Sequence, residues 1–231
     1  MNLVYQKLSP QIGEIAWNEP ISDGLLQQQL LVQKELLSEL KTDIMETRIG
    51  FTRLSIIWKK QPTVAFMENW LRAVDLSKSK ITRSDIVWQV PVCYDQVLAK
   101  DLIELASAKN ISIDQLIELH SSITYRIHFF GFLPGFMYLN GLPEKLHTPR
   151  KVIPDRSIPA GSVAIGNFQT GIYPAESPGG WHVIGRSPIS FFDGSAFPPV
   201  WAKPGESLEF LPISVREYES LCRFPRKPSL K

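Results

Sequence analysis

The sequence predicts an α+β N-terminal part followed by a mainly-β part, with the change of texture near Asp85. Three observations carry this. Before residue 85, long apolar stripes at helical spacing alternate with short runs of β-formers, the pattern of helices laid on a small sheet. After Thr124, short strand-like runs are divided by Gly/Pro turns, which points to a barrel or a sandwich. Between Gly131 and Ser190 the chain concentrates 9 of its 14 glycines and 8 of its 18 prolines but only 8 formally charged residues. A flexible linker would share that bias but not the interleaved aromatics Phe132, Phe136, Tyr138, Phe168, Tyr173 and Trp181. The segment reads as an ordered, loop-built binding or catalytic surface on a rigid scaffold. Two domains are expected, residues 1–84 and 85–231, with the boundary between Ser77 and Asp85.

The first domain opens on two strand-like runs, Leu3 to Tyr5 and Gly13 to Trp17, separated by Ser9-Pro10. Leu25 to Lys41 is the clearest helix. Leu26, Leu30, Leu37 and Leu40 recur at helical spacing with Leu25, Val32 and Leu36 alongside, a face broad enough to pack on a sheet. Arg48 to Trp58 reads as strand. Pro62 starts a second helix with Phe66, Trp70, Leu71 and Val74 inward. The polar run from Ser77 to Lys80 reads as a linker or a loop.

In the second domain Ile86 to Val90 is a strand, and Leu98 to Lys109 and Ile113 to His120 are helices. The latter carries a capping box, Ser112 with Gln115, and a hydrophobic staple, Ile111 with Leu116. Strand-like runs follow at 125–130, 162–165, 171–173, 182–184 and 208–211. A second capping box, Ser214 with Glu217, opens a C-terminal helix.

Composition narrows the function. At 231 residues with 44% hydrophobic and 21% charged content, the chain buries a core without disulfide staples. A net charge of +2, with no basic run beyond two residues, argues against nucleic acid. Two cysteines, Cys93 and Cys222, form no CxxC or zinc spacing, which favours a reduced cytoplasmic setting. Neither a signal peptide nor an apolar run long enough to span a bilayer is apparent.

No phosphate-loop or dinucleotide glycine motif occurs. His120, His128, His147 and His182 lack metal spacing and read as surface or locally hydrogen-bonded histidines, so no metal is expected. Ser162, in A-G-S-V, lacks the glycines of a nucleophile elbow and is a weak candidate; Cys93 reads as a small buried hydrophobe. Arg150 and Arg186 stand in Pro/Gly-punctuated loops with few acids nearby. Each fits either anion recognition or a structural role on loop carbonyls, and the two are expected to converge on one concave site. Gln169, Thr170 and Tyr173 offer neutral donors and acceptors for an amide-like ligand, and Gly179 and Gly180 offer backbone. Glu176, the only acid between Arg156 and Asp193, is a weaker candidate, as a base or as a counter-charge.

The motifs G-F-L-P-G-F-M-Y-L-N-G-L, T-P-R, I-P-A-G-S-V-A-I, Q-T-G-I-Y-P and S-P-G-G-W-H-V-I-G-R-S-P occur in that order. Together they resemble the KipI/PxpB family, that of the 5-oxoprolinase B subunit, also called allophanate hydrolase subunit 1-like. The likeness is strong from about Val90 to Phe192. It implies an α+β N-terminal domain followed by a mainly-β cyclophilin-like barrel domain, in a cytoplasmic protein that pairs with a relative of the 5-oxoprolinase C subunit. With a relative of the A subunit added, such a set hydrolyses 5-oxo-L-proline to glutamate using ATP as co-substrate. The alternative the resemblance implies is inhibition of a sensor histidine kinase. The chain departs from the family pattern where a glycine-rich run gives way to Asp95–Leu102, where Asp155 replaces an arginine, and at Gly166-Asn167-Phe168. The charge reversal at Asp155 bears on substrate identity or catalytic competence.

Overall fold

The computed structural model describes residues 3–79, 84–224 and 228–231. They form two compact units, Met1–Arg83 and Ser84–Lys231. The expected linker and boundary run into residues 80–83, which lie outside the described residues. No described helix is long and apolar enough to cross a membrane.

The first unit is a four-stranded antiparallel sheet with two helices. Strands β1 (Leu3–Lys7), β2 (Ile12–Trp17), β3 (Ile44–Ile49) and β4 (Arg53–Trp58) take the order β1-β2-β4-β3. The stretch expected as one strand from Arg48 is thus the end of one strand and the whole of the next, folded back at Gly50, whose N–H bonds the Arg53 carbonyl at 2.8 Å. Helix α1 (Asp23–Glu39) is capped by Ser22 and packs on β3 and β4. Its buried seam is Leu25, Leu26, Gln29, Val32 and Leu36, whereas the expected Leu37 is exposed. Gln29 explains the rotation. Its amide donates to the carbonyls of Gly50 (3.2 Å) and Arg53 (3.3 Å), so a buried polar group is satisfied by the turn it pins. Helix α2 (Val64–Ala73) is capped by Thr63, which places Pro62 just before the cap rather than in the helix. Met67 and Leu71 face inward, and Phe66, expected there, is exposed.

The second unit is a closed barrel. Its strands are β5 (Val87–Cys93), β6 (Thr124–Phe130), β7 (Met137–Asn140), β9 (Ser162–Gly166), β10 (Gln169–Ile172), β12 (His182–Arg186) and β13 (Ser207–Ile213). The ring runs β12-β9-β10-β7-β6-β13-β5 and closes where Arg186 pairs with Cys93. Every pairing is antiparallel except β13 with β5, which runs parallel from Ser207–Val87 to Ile213–Cys93. A short strand β14 (Ser229–Leu230) adds to β5, and β8 (Asp155–Ile158) and β11 (Ser177–Gly179) make a separate two-stranded ribbon. Closure at this one bridge brings the two sheet edges together and leaves the interior for Val90, Val92, Ile127, Leu139, Val163, Ile165, Ile172 and Leu208.

Helix α3 (Leu102–Ala108) starts four residues later than expected, because Asp101 is drawn to β12, its N–H bonding the Val183 carbonyl at 3.0 Å. Helix α4 (Ile113–Ser121) and helix α5 (Val215–Arg223) carry both expected capping boxes. Strand β7 goes beyond the sequence expectation. It follows directly on a Gly/Pro loop, and its pairing with β6 and β10 makes it a strand.

His120, at the end of α4, is wholly buried in this core. Tyr94 Oη donates to its Nδ1 at 2.8 Å, its Nε2 donates to Thr170 Oγ1 at 2.9 Å, and Thr170 donates on to the Ala164 carbonyl at 3.1 Å. The ring stacks on Phe210 at 4.7 Å. Burial holds its pKa at about 3. The folded chain therefore keeps His120 neutral where the unfolded chain protonates it, at about pH 6.5 and below. Stability should fall as pH drops from about 6.5 to about 5, by up to ~1.4 kcal/mol per pH unit from this residue. Urea unfolding across that range should show the slope in the wild type and a shallower one in His120→Gln; identical slopes would contradict it.

Candidate functional site

On the barrel's outer face the Gly/Pro-rich loops build an aromatic cavity. The indole of Trp181 lies flat against two strand glycines. A Cβ on Gly166 would stand 2.5 Å from Trp181 Cδ2, and one on Gly171 would stand 2.9 Å from Cζ3. Phe136 meets the indole edge-on at 5.5 Å, Tyr138 at 5.7 Å, and Tyr173 meets Phe136 at 5.0 Å. With Phe132, Arg150, Pro154 and the run Pro178-Gly179-Gly180, these side chains enclose about 270 Å³.

Arg150 supplies the charge. Its guanidinium carbon lies 5.7 Å from the Trp181 ring centroid, within cation–π reach. The backbone around it is fastened on both sides. Thr148 and Asn167 exchange N–H···O bonds of 2.8 and 2.6 Å. His182 Nε2 donates to the Pro149 carbonyl at 3.0 Å, and the Lys151 N–H donates to Gly180 at 2.7 Å.

Burial pushes the Tyr173 phenol up to about 12, against the lowering effect of a bond from the Trp181 backbone N–H and of the Arg150 charge. Burial likewise raises Tyr138, again opposed by Arg150. Both phenols stay protonated at neutral pH. A Cβ on Gly179 would stand 2.3 Å from Tyr173 Oη, so only glycine lets this backbone approach the phenol. None of the described cavity-lining residues is a Ser, Cys, His, Asp or Glu. The cavity can therefore bind and orient a small planar anion, with a guanidinium at one side, aromatic faces around it and phenol donors within.

Of the sequence-predicted residues, Arg150, Tyr173, Gly179 and Gly180 come together here. Arg186 does not. Strand β12 carries the chain from Trp181 at the cavity to Arg186 at the β5 seam, five residues and roughly 16 Å along a strand. There its charge lies close enough to Tyr218 of α5 to oppose the raising of that phenol's pKa by burial. The expected convergence of the two arginines is thus not realised. Ser162 is fully buried in β9, opposite Arg186 in the ladder. Thr170 points to His120 in the barrel interior, and Gln169 is buried in β10 without lining the cavity. Glu176 is exposed and accepts from Ser157 Oγ at 2.6 Å, away from the cavity. Cys93 is buried, and its thiol pKa is raised by burial.

Two residues named from the sequence take on roles that only the structure shows. Phe132 holds a left-handed backbone, φ +66°, unusual for a bulky residue, and is 61% exposed over the cavity, edge-on to Phe136. Asp155 is not left as an unpaired charge beside the cavity, although its charge still adds to the raising of the Tyr173 phenol. It pairs with Lys100 at 2.6 Å and Lys151 at 2.8 Å, and Lys151 also pairs with Asp101 at 2.6 Å. Lys100 lies in the glycine-free run 95–102, so two departures from the family pattern meet in one ion pair.

Residues 4–202 match the family described as carboxyltransferase domain, subdomain C and D. The chain belongs to this family. Within it, the chain is 38% identical over 182 residues to the 5-oxoprolinase B subunit of Escherichia coli O157:H7, covering 78% of this chain and 81% of that protein. The KipI/PxpB resemblance read in the loop motifs is therefore borne out. The crystal structure of TTHA0988 superposes with a TM-score of 0.74 at 29% identity over 88% of this chain, which spans 40% of that longer one. Urea amidolyase of Kluyveromyces lactis superposes with a TM-score of 0.79 at 15% identity, over 99% of this chain and 16% of its own, a likeness of fold.

The Phe132 backbone gives the cavity a separable test. A left-handed non-glycine residue costs of order 1 kcal/mol, and the exposed ring returns little of it by burial. Phe132→Gly should hold or raise the melting temperature while weakening ligand binding at the cavity. A clear loss of stability in thermal unfolding would show that the ring is scaffold.

Proposed function

We propose that this chain is the B subunit of an ATP-dependent 5-oxoprolinase, which opens 5-oxo-L-proline to L-glutamate together with relatives of the C and A subunits. Its barrel is, in this reading, cyclophilin-like. The observation that carries the proposal is Arg150 over Trp181 at an aromatic cavity, in a chain whose relative is named as the B subunit of 5-oxoprolinase. 5-Oxoproline is a small planar lactam with one carboxylate. Arg150 would take the carboxylate through its planar fork, and the aromatic walls would take the ring faces. The Pro178-Gly179-Gly180 backbone and the phenols of Tyr138 and Tyr173 would orient the lactam carbonyl.

The described cavity lining holds no general base, so in this reading proton transfer belongs to one of the other polypeptides of the complex. ATP is placed there too. One arginine among aromatic rings does not fit a triphosphate, which is cradled by successive backbone N–H groups and lysine. Docking of a partner is supported by Val152, 97% exposed, and Ile153, 82% exposed, between the cavity residues Arg150 and Pro154.

Two measurements test the reading. In the assembled complex, Arg150→Lys keeps the charge but loses the fork. It should raise KM for 5-oxoproline by about ten- to hundredfold at unchanged melting temperature, while Arg186→Lys leaves KM as it is. An unchanged KM in Arg150→Lys would refute the carboxylate role. Replacing Val152 and Ile153 together by Asp should abolish co-purification with the C-subunit relative and leave the barrel folded; undiminished co-purification would place the partner elsewhere.

A further inference from the structure

We propose that Asp101, Lys151 and Asp155 form an ion-pair clamp that positions Arg150 over Trp181 and so sets the affinity of the cavity for its anionic ligand. As a statement about ligand affinity, this rests on the reading above. The positioning itself rests on geometry.

One ammonium joins the segments that wall the cavity. Lys151 Nζ lies 2.6 Å from Asp101 Oδ1 and 2.8 Å from Asp155 Oδ2. Asp101 is fixed to β12 twice: its Oδ2 accepts the Val183 N–H at 2.6 Å, and its own N–H donates to the Val183 carbonyl at 3.0 Å. Val183 stands two residues beyond Trp181. Asp155 faces Gly179 in the β8–β11 ribbon, and Gly179 lines the cavity. The Lys151 backbone is tied to Gly180 at 2.7 Å. Arg150 is the residue next to Lys151, so its place above the indole is set by these backbone bonds together with the hold on this ammonium.

The clamp also decides which cation is left for a ligand. Both carboxylates near Arg150 are committed to lysines, and among the described residues Arg150 has no ion-pair partner of its own. The Lys151 and Asp101 side chains are only 18% and 10% exposed, so the pair is shielded from water and salt far more than a surface pair. Burial works against the charge on Lys151, yet its bonds to Asp101 and Asp155 raise its pKa above the ordinary lysine value. It remains a fixed cation through the neutral range. Guanidinium and ammonium sit side by side in sequence with different tasks: Lys151 absorbs the acids, and Arg150 faces the cavity.

The test reads Arg150 through the indole beneath it. The Trp181 side-chain N–H resonance of the full chain is identified by its loss in Trp181→Phe. It should shift in Arg150→Met and shift in the same direction in Lys151→Met, while Lys151→Arg, which keeps the charge, stays near the wild type. In the assembled complex, Lys151→Met should raise KM for 5-oxoproline by about tenfold or more with a smaller change in kcat, the signature of misplaced binding groups. A Trp181 resonance in Lys151→Met that matches the wild type, or one that does not respond to Arg150→Met, overturns the clamp. So does an unchanged KM. If Lys151→Met does not fold, Asp101→Asn decides by the same spectrum. A wild-type complex inactive on 5-oxoproline would instead overturn the functional reading, and the indole spectrum would still decide the clamp.

Discussion

The contact between the Trp181 indole and two glycines supports everything else at the cavity. Gly166 on β9 leaves no room for a Cβ because the ring occupies that space, and at Gly171 on β10 the ring and the Met137 carbonyl together exclude one. At the density of a protein interior a methyl group there would displace the indole outright. Phe136 and Tyr138 set their edges against the same ring, and Tyr173 meets Phe136 in turn. Arg150 lies over the indole. Without the flat seat on β9 and β10 the aromatic walls lose their common floor, and the guanidinium loses its platform. These glycines are therefore sites of close approach rather than of flexibility.

Polar chemistry is divided between the inside and the outside of the barrel. Inside, one neutral histidine joins the loop after β5, α4, β10 and β9 through an unbroken run of hydrogen bonds. A charged group there would go unpaired, and burial keeps the imidazole neutral. Outside, the acids near the cavity are held by Lys100 and Lys151, so the cavity itself presents one cation among aromatic faces and protonated phenols. That arrangement suits recognition of a small anion. Its described lining supplies no proton acceptor, in keeping with the proposed role as one part of a larger catalyst.

Much of the scaffold was legible because its signals are local. Both capping boxes in the second unit stand where Ser112–Gln115 and Ser214–Glu217 put them, since a cap is a contact between residues three apart. The helix from Leu25 and most of the barrel strands follow from periodicity and turn residues. Departures occurred where a distant partner overrode the local pattern. Gln29 turned α1 by bonding the β3–β4 turn. Asp101 delayed α3 by bonding Val183. Strand β7 exists because β6 and β10 flank it.

The sequence by itself determined the family, the α+β-then-β order of textures and four members of the cavity: Arg150, Tyr173, Gly179 and Gly180. Conformationally special residues and loop motifs announce themselves without knowledge of their neighbours. Only the tertiary structure decided that Arg186 belongs to the barrel seam and that Ser162 and Thr170 face away from the cavity. It also decided that Asp155 is neutralised by Lys100 from a distant segment as well as by Lys151 four residues before it. Strand direction and ring closure separate or join residues irrespective of their spacing in the chain. An ion pair across 50 residues, such as Lys151 with Asp101, exists only once the barrel has brought its loops together.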